Sequence, residues 1–304
     1  MPTESFKPVL DRDLSMVAAR QVIDIISPLL QEVVNYASWA FKRFQTGSSG
    51  EVSVDLAPFL LFHHVIEMTD GVEVLLSNSC VAAAIPTLRS AFEARLGLEY
   101  MLAADYRNRS LGWLCAYSHE KLGIYELVEP TTQGGVEFGK AWMLEHKDAA
   151  PSHPDAPKGI ANLQSFLAEP YMVPIEQEYQ RLKKAGRRTP HWYSLFGGPT
   201  TLRKLTAQLN RQTEYDALYR NWSRVAHAGD ASRIAAASHG DTFTRIRYPA
   251  DINLIAVLAL EFLLQTTKLM SEQYRPEAVS ISTWYQQEVK PRFEQLLALR
   301  VRIA

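Results

Sequence analysis

Cysteine is nearly absent: the 304 residues contain only Cys80 and Cys115, and no Cys-x-x-Cys pair exists. A disulfide scaffold and a thiolate zinc ribbon are therefore excluded. Each cysteine lies in an apolar run, the setting of a buried thiol in a reducing compartment. Neither has a base close by in sequence, which argues against thiol catalysis. Phosphate loops are absent too. No Gly-x4-Gly-Lys-Ser/Thr and no Gly-x-Gly-x-x-Gly occurs, so neither P-loop hydrolysis nor dinucleotide binding is expected. There is no Gly-x-Ser-x-Gly elbow, no His-Glu-x-x-His and no Glu-x-x-His, which removes the common serine-hydrolase, zincin and di-iron patterns. His63-His64 with Glu67 is the one hint of a metal, but adjacent histidines diverge on a helix. No metal and no cofactor are expected. The longest apolar run, Ile252–Leu264, is broken by Glu261 and is shorter than the ~20 residues of a membrane span. It reads as a core helix. No basic segment followed by an apolar core opens the chain. The expectation is a cytoplasmic protein with no membrane partner. A formal net charge of −1 lets overall charge select no ligand.

What is present is helical periodicity. With 47% hydrophobic and 21% charged residues, the chain has the composition of a globular protein. Apolar side chains recur at Val22, Ile25, Ile26, Leu29, Leu30 and Val33, the i, i+3, i+4, i+7 spacing of an amphipathic helix. Helices are predicted over 13–44, 55–76, 80–104, 110–128, 171–185, from Thr200 or Thr201 to Asn210, from Thr213 to Gly229, and over 251–273 and 278–300. Gly47-Ser48-Ser49-Gly50 reads as a flexible link and Pro86 as a residue in the first turns of its helix or a kink. Gly134, Gly135, Pro151, Pro154, Pro157 and Gly159 mark 131–160 as loop, with a short helix over 137–147. Residues 242–248 alternate and suggest a short strand. The expected architecture is a single all-α domain over 1–304, a multi-helix bundle with a loop-rich insertion at 131–190.

Charge is unevenly placed. From Arg181 to Arg224 there are ten Lys/Arg against Glu214 and Asp216, and such a segment points to an anionic ligand or to a solvated basic face. Within it lies Arg220-Asn221-Trp222-Ser223-Arg224-Val225-Ala226-His227, closed by Gly229. At ~3.6 residues per turn, Arg220, Arg224 and His227 share one helical face. The guanidinium groups keep their charge and suit a phosphate; an imidazole in a last helical turn, near the negative dipole end, is poised to move a proton. Asn221 and Ser223 are placed to orient His227 or a phosphate oxygen. The same pattern also describes a packing seam in which His227 caps its helix and Arg220 pairs with Glu93 or Asp216. Arg187 and Arg188, followed by Trp192, Tyr193 and Phe196, combine charge with rings able to stack on bases, or to anchor a loop beside Gly197-Gly198-Pro199. Arg89 and Glu93 stand one turn apart on an apolar helix. They make an intrahelical pair, or Glu93 orients Arg220 or His227 while Arg89 adds phosphate-binding charge.

Arg220-Asn221, with His227 six residues after the Asn, resembles the Arg-polar-His signature of the HEPN superfamily. The longer pattern Tyr219-x3-Ser223-x3-His227, with Leu88-Arg89-Ser90-x2-Glu93 on an earlier helix, is similar to uncharacterised bacterial helical proteins related to abortive-infection families. The resemblance touches residues 80–104 and 190–230. It implies an all-α bundle that dimerises so that two motifs meet. It implies a metal-independent endoribonuclease of toxin–antitoxin or anti-phage defence systems, held by an antitoxin or other regulatory protein. Arg220, Asn221 and His227 take the motif roles, with Arg224, Ser223, Tyr219, Glu93 and Arg89 in support. Some members bind only a nucleotide or a protein partner, which leaves a non-catalytic module as the alternative. The chain is longer than a minimal unit of this kind, which leaves room for further helices.

Overall fold

Helical periodicity becomes helices. The structure, a computed structural model, describes residues 12–48, 51–186, 189–226, 247, 249, 251–275 and 281–298. In chain order the helices are α1 (Arg12–Thr46), α2 (Val52–Ser77), α3 (Val81–Ala103), α4 (Tyr106–Val128), α5 (Gln133–His146), α6 (Ala156–Leu167), α7 (Val173–Lys184) and α8 (Leu202–Gln208). Gln212–Glu214, a π-helical turn at Tyr215–Tyr219 and Arg220–Ala226 run on without a break and form α9. After α10 (Ile252–Tyr274), the sequence Ile281–Trp284, a second π turn at Tyr285–Val289 and Lys290–Ala298 form α11. A 3-10 turn covers Trp192–Gly197. Among the described residues there is no strand, so the fold is an all-α multi-helix bundle. The strand expected at 242–248 lies outside the described residues, apart from Arg247 in a bend.

The chain divides into two compact units. The first takes in the described residues of Met1–Glu51, Pro58–Leu102 and Thr206–Ala304. Its core is where the apolar faces of five helices converge. Phe41 and Phe44 of α1 meet Phe62 of α2, and Phe59 stacks on Tyr274 of α10 at 4.8 Å. Phe92 of α3 meets Phe262 of α10 and, edge-on, Trp222 of α9. α10 packs along α1, and its inward residues Ile255, Ala259, Leu263 and Met270 recur at helical spacing and are buried. This helix lies within one residue of the expected 251–273 and runs on past the apolar stretch Ile252–Leu264. At 23 residues it is long and apolar enough to cross a membrane by length and composition, with half of its most apolar window buried.

The second unit comprises Val52–Ala57 and Ala103–Leu205. α4 is its spine, and α5, α6, α7 and the 3-10 turn all pack on it. Three helices occupy 131–190: α5 and α7 fall where helices were expected over 137–147 and 171–185, and α6 corrects the loop expected between them. Gly134, Gly135, Pro157 and Pro174 sit at helix starts and Gly159 at a close approach to Tyr125, where they are permitted. Thr132 caps α5 by accepting from the Gly135 backbone N–H at 2.9 Å. A Cβ on Gly135 would stand 1.9 Å from the Glu129 carbonyl oxygen. Pro157 and Pro174 lie in the first turns of α6 and α7, where the missing N–H leaves no helical bond unmade.

Candidate functional site

Helix α9 carries Tyr219, Arg220, Asn221, Ser223 and Arg224 of the predicted site, and two anchors hold it. Near its start Glu214 forms an ion pair with Arg95 of α3, whose side chain is 1% exposed. Arg95 also donates to Gln265 of α10. Arg211 joins the network, reaching Glu99 at 3.2 Å and Glu214 at 3.1 Å. Burial lowers the Arg95 guanidinium below its ordinary range, and Glu214 and Glu99 offset part of that. Further along, Trp222 is buried edge-on to Phe92 at 6.0 Å. In an uninterrupted α-helix at ~100° per residue, Glu214 and Trp222 would point about 80° apart. The π turn between them absorbs one residue, so the two side chains return to nearly the same face. That phasing docks both ends of α9 on the core.

Away from the anchors, Tyr215, Asp216, Tyr219, Arg220, Asn221 and Ser223 of α9 line an open hollow of about 420 Å³. Arg220 is exposed. Among the described residues it makes no hydrogen bond and no ion pair. Its two expected partners are engaged elsewhere: Glu93 pairs with Arg89 at 3.0 Å, and Asp216 accepts from Gln212 at 3.0 Å. The Tyr215 and Tyr219 rings stack at 5.0 Å with 20° between planes. Asn221 donates its amide N–H to the Ala217 carbonyl at 3.0 Å, one turn back. Ser223 is half-buried on the hollow's wall.

Arg89 and Glu93 of α3 also belong to this cluster, through Tyr219. Arg89 donates to the Tyr219 hydroxyl at 2.6 Å, and its guanidinium carbon lies 4.4 Å from the ring centroid. Burial and the Glu93 carboxylate raise the Tyr219 phenol above its ordinary range, against the pull of Arg89. Glu93 therefore orients Arg89 and Tyr219; the expectation that it orients Arg220 is corrected. The i, i+4 spacing on α3 brings Arg89 to it first. Behind them, His64 of α2 shares a hydrogen bond with Ser90 at 2.8 Å, whereas His63 is exposed beside Phe41. The adjacent histidines do diverge.

His227, Arg187, Arg188 and the side chain of Arg224 fall outside the described residues. Trp192 and Tyr193 belong to the second unit, half-buried on the 3-10 turn. Tyr193 stacks on His191 at 5.0 Å, and Leu195 of the same turn is buried against Gly112 of α4. The basic stretch is shared between the units, and part of its charge is internally paired: Arg181 grips Glu178 with two bonds of 2.7 and 2.9 Å. Sequence reasoning missed the Arg95–Glu214 network, whose members are far apart in the chain. It also missed a base beside Cys115. His119 is one helical turn on, and the Cys-x3-His spacing was readable in the sequence.

The class that fold and site define is an all-α bundle that displays, from a doubly anchored helix, an arginine unpaired among the described residues. The chain belongs to the family described as Family of unknown function (DUF5677), whose model matches residues 55–241, more than half of its length. No curated protein and no solved structure matches it.

Proposed function

We propose that the protein is a HEPN-like, metal-independent endoribonuclease, a toxin or anti-phage defence effector acting in the cytoplasm as a homodimer. An antitoxin or other regulatory protein would hold it in check. The observation that carries this reading is Arg220: a fixed positive charge, exposed and free of protein partners among the described residues, beside two stacked tyrosines. A guanidinium left in that state suits a phosphodiester, which it binds in fork geometry and stabilises as charge develops on the phosphorus oxygens. The substrate's 2′-oxygen attacks phosphorus, the 5′-oxygen leaves, and the products are a 2′,3′-cyclic phosphate and a 5′-hydroxyl. His227 takes the 2′ proton or delivers one to the leaving oxygen. Arg224, Asn221 and Ser223 support the phosphate, and Tyr219, set by Arg89 and Glu93, forms the wall beside it.

The test is incubation of the purified full chain with labelled RNA in EDTA. Wild type is expected to cut, and His227→Ala to lose ~10²–10⁴-fold in rate. RNA left equally intact by both proteins sinks the reading. One observation favours the non-catalytic alternative: Asp216 lines the same hollow as Arg220. A carboxylate for ribose hydroxyls, an arginine for phosphate and a tyrosine face for a base would also hold a free nucleotide. That reading predicts saturable mononucleotide binding, lost in Arg220→Ala, with no RNA turnover.

A further inference from the structure

In the second unit, three donor atoms of different chemistry converge where neither the nuclease reading nor the helix packing requires them. Cys115 and His119 stand one turn apart on the same face of α4, and Glu176 of α7 reaches between them. Glu176 Oε2 lies 3.4 Å from Cys115 Sγ and 2.7 Å from His119 Nε2, and all three donor atoms fall within 4.8 Å of one another. Gln180 holds the other carboxylate oxygen, donating to Glu176 Oε1 at 2.8 Å, so Oε2 is the oxygen presented to the cluster. Tyr179 is buried and stacks flat on the His119 ring, with centroids 4.3 Å apart and planes within 3°. The ring's orientation is thereby fixed. Cys115 is buried, while His119 and Glu176 keep side-chain exposures of 17% and 24%, which leaves solvent a way in.

We propose that Cys115, His119 and Glu176 form a binding site for a divalent zinc-type cation, with three protein ligands and water in the fourth position. A tetrahedral zinc site with Zn–S of ~2.3 Å and Zn–N and Zn–O of ~2.0–2.2 Å has ligand–ligand edges of about 3.3–3.6 Å. The thiol–carboxylate distance already matches, and a small rotation of the carboxylate opens the imidazole–carboxylate distance. A thiolate–histidine–carboxylate set is suited to zinc among common divalent ions. A cysteine nucleophile is not what this geometry makes. The thiol faces a carboxylate rather than the imidazole, and burial and Glu176 both push its ionisation up. A divalent cation reverses that logic, because it neutralises the two anionic ligands that otherwise repel each other. On binding, the Cys115 thiol releases its proton to solvent, and the His119 ring proton moves to Nδ1 so that Nε2 can coordinate.

The test is a cobalt(II) titration of the full chain, stripped of metal and free of any histidine tag. Expected is one equivalent of Co²⁺ bound with a thiolate-to-cobalt charge-transfer band, bleached by added Zn²⁺. Cys115→Ser should abolish the band, and Glu176→Gln should weaken Co²⁺ binding at least about tenfold. Far-UV circular dichroism checks folding; if Cys115→Ser is unfolded, His119→Gln replaces it and must lose the same binding. No thiolate band in wild type at stoichiometric Co²⁺, or a band of equal strength in the variants, overturns the site. The nuclease assay is run in chelator, so the two proposals fail separately.

Discussion

Arg95 and Arg220 sit on neighbouring helices in opposite circumstances, and each calls for its own experiment. Arg95 is sealed in the core, and its charge is held by Glu214 and Gln265. Removing one partner of a buried pair strands the other, at a cost of ~3–5 kcal/mol. Because Glu214 itself is 29% exposed, Glu214→Ala belongs near the lower end, about 3 kcal/mol. Urea unfolding checks it; a change under about 0.5 kcal/mol would show that the network adds no stability. Arg220 is exposed and unpaired among the described residues, so Arg220→Ala should leave stability within about 0.5 kcal/mol of wild type. The same substitution should cut RNA cleavage by ~10²–10³-fold. A large fall in melting temperature, with activity per folded molecule unchanged, would make Arg220 structural. Tyr219 adds a pH signature. Burial and Glu93 raise its phenol, so its contribution to stability is complete below pH ~10 and is lost as pH rises through the raised value. Tyr219→Phe should flatten that alkaline loss, and unfolding curves at rising pH read the difference.

The π turn in α9 does for the helix what no single side chain can. By absorbing a residue between Glu214 and Trp222 it lets both anchors face the core. Deleting Ala217 removes the residue the π turn absorbs, so regular winding should keep both anchors within about 20° of one face. Inserting a further alanine there should instead rotate one anchor by ~100° and forfeit Trp222 packing worth ~3–5 kcal/mol, and thermal unfolding compares the two variants. A deletion variant that loses as much stability as the insertion would contradict the phasing. The turn was illegible in advance, because periodicity assumes 3.6 residues per turn throughout. The second π turn, Tyr285–Val289, escaped notice for the same reason. Elements with long unbroken apolar periodicity were read well: α1, α2, α3 and α10 begin and end within a few residues of the sequence reading. α7 was also read within two residues, whereas the start of α5 and the whole of α6 were obscured by Gly134, Gly135 and Pro157, residues read as breakers that in fact lie in first helical turns.

For the molecule as a whole, the sequence reading captured the helical class. Of the residues it singled out, Tyr219, Arg220, Asn221 and Ser223 line the hollow, and Arg89 and Glu93 reach that cluster through Tyr219. What it could not supply was partnership across the chain. Arg95 reaches Glu214 and Cys115 reaches Glu176 over separations that only folding closes. It also treated the positive stretch from Arg181 to Arg224 as one feature, whereas that stretch is divided between two units and partly neutralised by Glu178 and Glu99.

The central claim is that Arg220 serves a phosphodiester and that the substrate's own 2′-hydroxyl cuts it. The most direct measurement compares a labelled RNA with its all-2′-deoxy counterpart, both incubated with the full chain in EDTA, with product ends identified by mass. The account predicts cyclic-phosphate ends from the RNA, none from the DNA, and ~10²–10³-fold less product with Arg220→Ala. Uncut RNA, equal cutting of DNA, or undiminished cutting by Arg220→Ala would contradict it.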